Sequence, residues 1–267
     1  MDTKVWQERM AQATLWVREA GARIRKSMEN PLHVETKSNA NDLVTNMDKE
    51  TEQFFVSRIQ SHYPEHYILG EEGFGDQLET IEGTVWIIDP IDGTMNFVHQ
   101  KRHFTISLGV YHDGVGMFGL VYDVMADDLY AAFNGEGATL NNAPLMGVND
   151  ADLHTAIVGL NANWLTTNEH MPADALHFLV QKARGVRSYG SAALEIVYVA
   201  AGFLDAYATM RLSPWDYAGG LIIAKEAGAV GTTLQGEPLN LLHKQSVLIA
   251  TPKVHKEIVE RLHGASS

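Results

Sequence analysis

Residues 84–97, TVWIIDPIDGTMNF, constrain the fold more than any other stretch. Val85, Trp86, Ile87 and Ile88 form a short apolar run, rich in β-branched residues, which reads as a strand buried on both faces. Asp89 closes it, and Pro90 brings no N–H to a sheet ladder, so pairing is expected to stop there. Asp92-Gly93 makes a turn, and Thr94 is a good helix N-cap. A rigid strand therefore delivers two carboxylates, a hydroxyl and the first N–H groups of a helix to one place. Two carboxylates about 5 Å apart repel by roughly 3 kcal/mol at an effective dielectric of about 20, and a divalent cation removes that cost. Hard oxygens at i and i+3 suit Mg²⁺, and the N–H groups of Gly93 and Thr94 suit a phosphate. A second reading stays open, with Asp89 a strand-end turn former and Asp92 a solvated turn residue.

Composition narrows the setting. The 267 residues suffice for one large domain or two modest ones, and 45% hydrophobic with 20% charged residues predicts a packed core. With no cysteine there is no disulfide and no thiolate metal site, which fits a reducing compartment. The first residues, MDTKVWQERM, contain no apolar signal core, and no later segment reads as a bilayer span, so a cytoplasmic protein without a membrane partner is expected. The net charge of -13, from 33 acidic and 20 basic residues, argues against nucleic-acid binding. It also opposes a phosphate-ester substrate unless cations mask some of the acids. His62 and His66 are four apart but lack the HExxH pattern, and Pro64 breaks any helix there, so both are expected at the surface.

Along the chain, Trp6, Met10, Ala13, Val17, Ala20, Ile24 and Met28 repeat at helical spacing and predict a core helix over 3–29, ended by Asn30-Pro31. Residues 34–44 are polar and irregular. A helix over about 46–60 follows, and Thr45-x-x-Asp48 resembles a capping box, which by itself accounts for Asp48. Tyr67–Leu69 reads as a strand before Gly70-Glu71-Glu72-Gly73, an acidic loop that glycines let approach something closely. Residues 105–111, 117–122 and 129–133 read as consecutive antiparallel strands with turns at Asp113-Gly114 and Asn134-Gly135. Gly114-Val115-Gly116-Met117-Phe118-Gly119 matches GxGxxG, but a strand follows where a dinucleotide site needs a helix, so the nucleotide reading is rejected. A polar stretch over 141–152 places a boundary between 1–148 and 149–267. Beyond it, strands at 155–160, 186–188, 205–209, 229–233 and 246–250 alternate with helices at 173–183, 191–202, 214–227 and 252–263, an α/β pattern with a mixed sheet. Ser213-Pro214-Trp215-Asp216 has Ser at the N-cap, Pro at the first helical position and Asp at the third. That makes Asp216 either a cap or a metal ligand brought from the second half.

Taken together, GEEG, WIIDPIDGTMNF and PWDYAGG, with KSNANDLVTNMD and YGSAALE, closely resemble the inositol monophosphatase family over nearly the whole chain. The resemblance implies a Mg²⁺-dependent, lithium-sensitive phosphomonoesterase. It also implies the layered αβαβα sugar-phosphatase fold, an α/β protein whose α+β first half holds an antiparallel sheet and whose second half holds a mixed one. By resemblance, Glu71, Asp89 and the carbonyl of Ile91 hold one Mg²⁺. Asp89, Asp92 and Asp216 hold a second, and Glu71 also helps a weaker third. Asp48 and Thr94 are the pair that orients the attacking water, Lys37 lies near the site, and Glu72 stands beside it. Gly93, Thr94 and Asp92 meet the phosphate, and Ser191, Ala192 and Ala193 open a helix facing the substrate, although helix packing explains their small size equally well.

One position departs from the family. Animal members place a glutamate seven residues before the WD aspartate, where it binds inositol hydroxyls, and here that residue is Thr209. Arg211 adds a cation nearby. The expectation is an enzyme for inositol-1-phosphate and related small sugar or polyol phosphates, with a range broad enough to admit sugar bisphosphates or NADP. Fructose-1,6-bisphosphatase, NADP phosphatase and nucleotide 3′-phosphatase are the alternatives on the same fold, and a regulatory partner of the transcription machinery is the alternative of another class. Relatives are commonly homodimers, which extends the expectation to this chain.

Overall fold

A computed structural model describes residues 3–29, 33–36, 43–149, 151–166 and 174–265. Helix α1 (Thr3–Ser27) buries Trp6, Ala13, Trp16, Val17, Ala20 and Ile24 along one stripe, and Arg25 and Lys26 complement the dipole at its end. The stop expected at Asn30-Pro31 lies outside the described residues. The stretch read as irregular contains a small antiparallel pair, β1 (Val34–Thr36) with β2 (Leu43–Thr45). Helix α2 (Asn46–His62) opens on the capping box read from Thr45 and Asp48.

The first sheet has seven strands in chain order: β3 (Tyr67–Gly70), β4 (Thr84–Asp92), β5 (Thr105–His112), β6 (Val115–Asp123), β7 (Asp128–Phe133), β8 (Gly137–Leu140) and β9 (Ala143–Pro144). Helix α3 (Thr94–His99) interrupts the run between β4 and β5. The sheet is antiparallel except for the edge pair β3–β4, which is parallel. The short strands β8 and β9 carry almost no alternating pattern, so the sequence reading passed over them. The second part contains β10 (Ile157–Leu160), α4 (His177–Lys182), β11 (Gly185–Arg187), α5 (Ala192–Ala200), β12 (Ala206–Leu212), α6 (Pro214–Glu226), β13 (Val230–Thr232), β14 (Gln245–Ala250) and α7 (Pro252–Ala265). Its five strands form a mixed sheet in the order β11-β10-β12-β14-β13. Among the described residues, no helix is long and apolar enough to cross a membrane.

The apolar residues divide into layers. One cluster joins α1 and α2 to the first sheet through Trp16, Phe55, Trp86 and Phe118. A second joins the opposite face of that sheet to α5 and α6 through Ile87, Val121, Leu194 and Ala218. A third joins α5 and α6 to the second sheet through Ile196, Leu221 and Ile249, and a fourth covers that sheet with α4 and α7. The order is helix, sheet, helix, sheet, helix, the expected αβαβα arrangement. The GxGxxG decoy has its own explanation here. Gly116 and Gly119 lie on β6 under α6, and a Cβ on Gly116 would sit 2.8 Å from Ile222 Cγ1. A Cβ on Gly109 of β5 would likewise meet the backbone of Ala218 and Gly219 at 2.8 Å. These glycines let α6 lie almost on the sheet.

Two expectations at the strand end are corrected. Pairing does not stop at Pro90. Strand β4 runs through Asp92, with an irregularity between Asp89↔Ser107 and Asp92↔Thr105 that accommodates the missing N–H. Thr94 is not the N-cap of α3. That place belongs to Gly93, at φ 94°, a left-handed conformation that glycine adopts without strain, and Thr94 is the first helical residue.

His66 is also corrected, from surface to core. It stacks beside Tyr63 and Trp86, and its Nδ1 accepts the indole N–H of Trp86 at 3.0 Å, a bond that requires a neutral ring. His62 is exposed, as expected. Burial, followed by the charge of Arg9, pushes the His66 imidazole down to about 4. Its stabilising contribution is therefore complete above the unfolded value near 6.5 and is lost as pH falls toward 4, by up to ~3 kcal/mol. Urea unfolding at pH 7.5 and pH 5 should show His66→Gln losing less stability than the parent over that interval, by about 2 kcal/mol. Equal losses would contradict the assignment.

Candidate metal centre

Strand β4 is buried along its whole length, so its end is fixed. There the backbone N–H of Ile91 donates to Asp89 Oδ1 at 3.0 Å. Asp92 points at the start of α5. Its carboxylate accepts the Ser191 hydroxyl and the N–H groups of Ala192 (3.2 Å) and Ala193 (2.8 Å). It therefore caps a helix from outside, where the dipole favours negative charge. Asp216 comes from the first turn of α6. Ser213 N–H donates to its Oδ2 at 2.7 Å, the capping box expected from the sequence.

These elements bring one carboxylate oxygen each from Asp89, Asp92 and Asp216 within 4.8 Å of one another. Asp89 and Asp92 are buried and Asp216 is half-buried. Carboxylates gathered this closely repel one another when all are ionised, and a shared proton or a cation relieves that repulsion. Burial raises the Asp89 carboxyl well above the ordinary range, and Glu71, Asp92 and Asp216 add to the rise. Asp216 is likewise raised, by burial and then by Asp92 and Glu71. Asp92 is pushed up to about 6 by burial, opposed by its bonds from Ser191, Ala193 and Ala192. Three hard carboxylate oxygens with suppressed ionisation fit the donor set of a small divalent cation.

The surrounding cleft, of about 210 Å³, is lined by these three acids together with Leu43, Glu71, Ile91, Gly93, Thr94 and Met95. Glu71 stands on its wall and acts electrostatically on Asp89 and Asp216, but its carboxylate is not in the tight group of three. The Thr94 hydroxyl lies 3.0 Å from Asp48 Oδ1 and 3.1 Å from the Ile91 carbonyl. Asp48 is buried, and its Oδ2 accepts the backbone N–H (2.8 Å) and hydroxyl (2.5 Å) of Thr45. Burial raises its pKa against the bonds from Thr45 and Thr94.

The substrate-side residues are less gathered. Ser191 and Ala192 meet Asp92 directly, but neither Thr209 nor Arg211 lines the cleft. Thr209 is buried, with its hydroxyl accepting the indole N–H of Trp164 at 3.0 Å, and Arg211 is exposed. Lys37 lies outside the described residues. The sequence reading overlooked three buried acids, Glu52, Asp123 and Glu195, although Glu52 follows Asp48 by one helical turn and could have been found by that spacing.

Removing one charge from the group should stabilise the metal-free protein. In chelator, Asp89→Asn is expected to melt higher than the parent, by roughly 2–8 °C for one or two kcal/mol of repulsion removed, and to lose the further rise on adding Mg²⁺. A lower melting temperature in chelator would mean that the three carboxylates do not strain the fold. Asp92→Asn is no substitute for this test, because Asp92 also caps α5.

Comparison with known proteins agrees with this geometry. The profile of the inositol monophosphatase family matches residues 6–267. An inositol-1-monophosphatase of Bacillus subtilis is 54% identical over 260 residues, covering 97% of this chain and 98% of that one. The crystal structure of inositol monophosphatase-II from Staphylococcus aureus superposes with a TM-score of 0.86 at 47% identity, over 95% of each chain. A structure described as an IMPase/NADP phosphatase complexed with Mg²⁺ and phosphate gives a TM-score of 0.88 at 29% identity, over 96% of this chain and 95% of that one. With its layers, its gathered acids and these relatives in agreement, the chain belongs to the inositol monophosphatase family.

Proposed function

We propose that this chain is a Mg²⁺-dependent phosphomonoesterase acting on inositol-1-phosphate and related small sugar or polyol phosphates. The observation that carries the reading is the group formed by Asp89, Asp92 and Asp216, which lines the same cleft as Thr94, whose hydroxyl is bonded to the buried Asp48. Glu71, Asp89 and the Ile91 carbonyl are the proposed ligands of one ion, and Asp89, Asp92 and Asp216 those of a second. A weaker third beside Glu71 rests on resemblance alone, as does the homodimer, whereas the cytoplasmic location is supported by the cysteine-free composition. Mg²⁺ held there supplies positive charge for the phosphoryl oxygens and the leaving oxygen of an in-line displacement.

The protein's own groups have separate tasks. The Thr94 hydroxyl has one proton. Donated to Asp48, it leaves the Ile91 carbonyl open to the cleft and turns the Thr94 lone pairs toward a water, whose proton they accept. Thr45 holds Asp48 in place for that relay through two hydrogen bonds. The backbone N–H groups of Gly93 and Thr94 are the proposed phosphate donors. The N–H groups of Ala192 and Ala193 fix the Asp92 carboxylate between α5 and the cleft and favour its charged form against burial.

The broader substrate range has one specific support. Position 209 carries a buried threonine engaged by Trp164, so no carboxylate is offered there to inositol hydroxyls. Phosphate release should be measured on inositol-1-phosphate, fructose-1,6-bisphosphate, NADP and a nucleoside 3′-phosphate, with Mg²⁺, with chelator and with lithium. Turnover is expected only with Mg²⁺, to fall with lithium, and to include at least one bisphosphate or NADP within about a hundredfold of inositol-1-phosphate in kcat/KM. Full turnover in chelator would overturn the metal reading. A preference for inositol-1-phosphate beyond that margin over every other compound would overturn the broad range alone.

A further inference from the structure

Helix α2 carries a second buried acid that the reaction does not use directly. Glu52 stands one turn after Asp48 on the same helix face and is fully buried. Its carboxylate is turned toward the loop that leaves β3. Oε2 accepts the backbone N–H of Glu72 at 2.6 Å, and Oε1 accepts that of Phe74 at 2.8 Å. A Cβ on Gly70, the last residue of β3, would lie 2.5 Å from Glu52 Cδ and 2.6 Å from each of its oxygens. Only glycine lets the strand come this close to the carboxylate. Glu71 is therefore flanked by two points fixed on Glu52, the packed backbone of Gly70 and the bonded N–H of Glu72. Asp76 ties the far end of the loop back to Ile68. Hydrogen bonds to a buried carboxylate are stronger than those between neutral groups, so this segment, which has no sheet pairing of its own, takes its position from Glu52.

We propose that Glu52 is the positioning residue for Glu71, setting the distance of the Glu71 carboxylate from Asp89 and with it the affinity for a divalent cation. This rests on the metal-centre reading. One face of α2 then serves two parts of the site. Asp48 holds the Thr94 hydroxyl, and Glu52 holds the Glu71 loop.

Three variants test it. Glu52→Gln keeps the shape of the side chain, but each oxygen already serves one N–H, so the amide must turn its NH₂ against one of the two donors. Gly70→Ala pushes on the same carboxylate from the opposite side. Glu50→Gln removes the same charge from the exposed face of the same helix and serves as the control. Mg²⁺ binding to the substrate-free protein is measured by titration calorimetry, alongside the Mg²⁺ dependence of phosphate release. Glu52→Gln and Gly70→Ala are expected to weaken Mg²⁺ binding by about tenfold or more, with kcat at saturating Mg²⁺ within about threefold of the parent, while Glu50→Gln binds as the parent does. Parent-like Mg²⁺ affinity in folded Glu52→Gln overturns the proposal. If Glu52→Gln does not fold, parent-like affinity in Gly70→Ala overturns it. A parent protein that binds no Mg²⁺ is a different result and overturns the metal centre itself.

Discussion

Asp89, Asp92 and Asp216 are held together by backbone that cannot let them separate. Each carboxylate is bonded to an N–H group of a fixed element: Ile91 for Asp89, Ala192 and Ala193 for Asp92, and Ser213 for Asp216. At separations near 5 Å each ionised pair repels by roughly 3 kcal/mol at an effective dielectric of about 20. Rotating a side chain away would relieve that repulsion but leave a buried donor unpaired, at about 1–3 kcal/mol. The two penalties are comparable, so the cluster persists, and added positive charge is what lowers its energy. The N-terminal dipoles of α5 and α6 supply a part of that charge, and a cation is suited to supply the rest.

The layered fold makes this convergence possible. Asp89 and Asp92 belong to the first sheet, whereas Asp216 belongs to the helix layer between the two sheets. For Asp216 to reach Asp89, α6 must lie closer to β5 and β6 than helices usually lie to a sheet. The absence of side chains at Gly109, Gly116 and Gly119 permits it. A sequence that looks like a nucleotide-binding loop is in this way part of the packing that completes the acidic group.

Much of this was legible in the sequence, for stated reasons. The helical stripe of α1, the strand before Asp89 and the two capping boxes are local patterns, and local patterns survive folding. Glu71, Asp89, Asp92 and Asp216 stand beside glycines, turns and helix starts, where each alone reads equally as a cap or a loop acid, and only the family resemblance named them together as ligands. What the sequence hid was direction. Nothing at Asp92 says that its carboxylate caps a helix about a hundred residues later, and nothing at Glu52 says that its partners are backbone N–H groups beyond β3. His66 was misplaced because a histidine between polar neighbours gives no sign of the tryptophan it bonds. Thr94 was misread as a cap because Gly93, in its left-handed conformation, had already taken that role.

The central claim, that the three gathered carboxylates form a cation site, is tested most directly by anomalous diffraction from crystals grown with Mn²⁺ as a stand-in for Mg²⁺. The account predicts at least one anomalous peak bonded to Asp89 and shared with Asp92 or Asp216, with the three side chains keeping the positions described above. A cleft without a peak, at Mn²⁺ concentrations that saturate phosphate release, would contradict it.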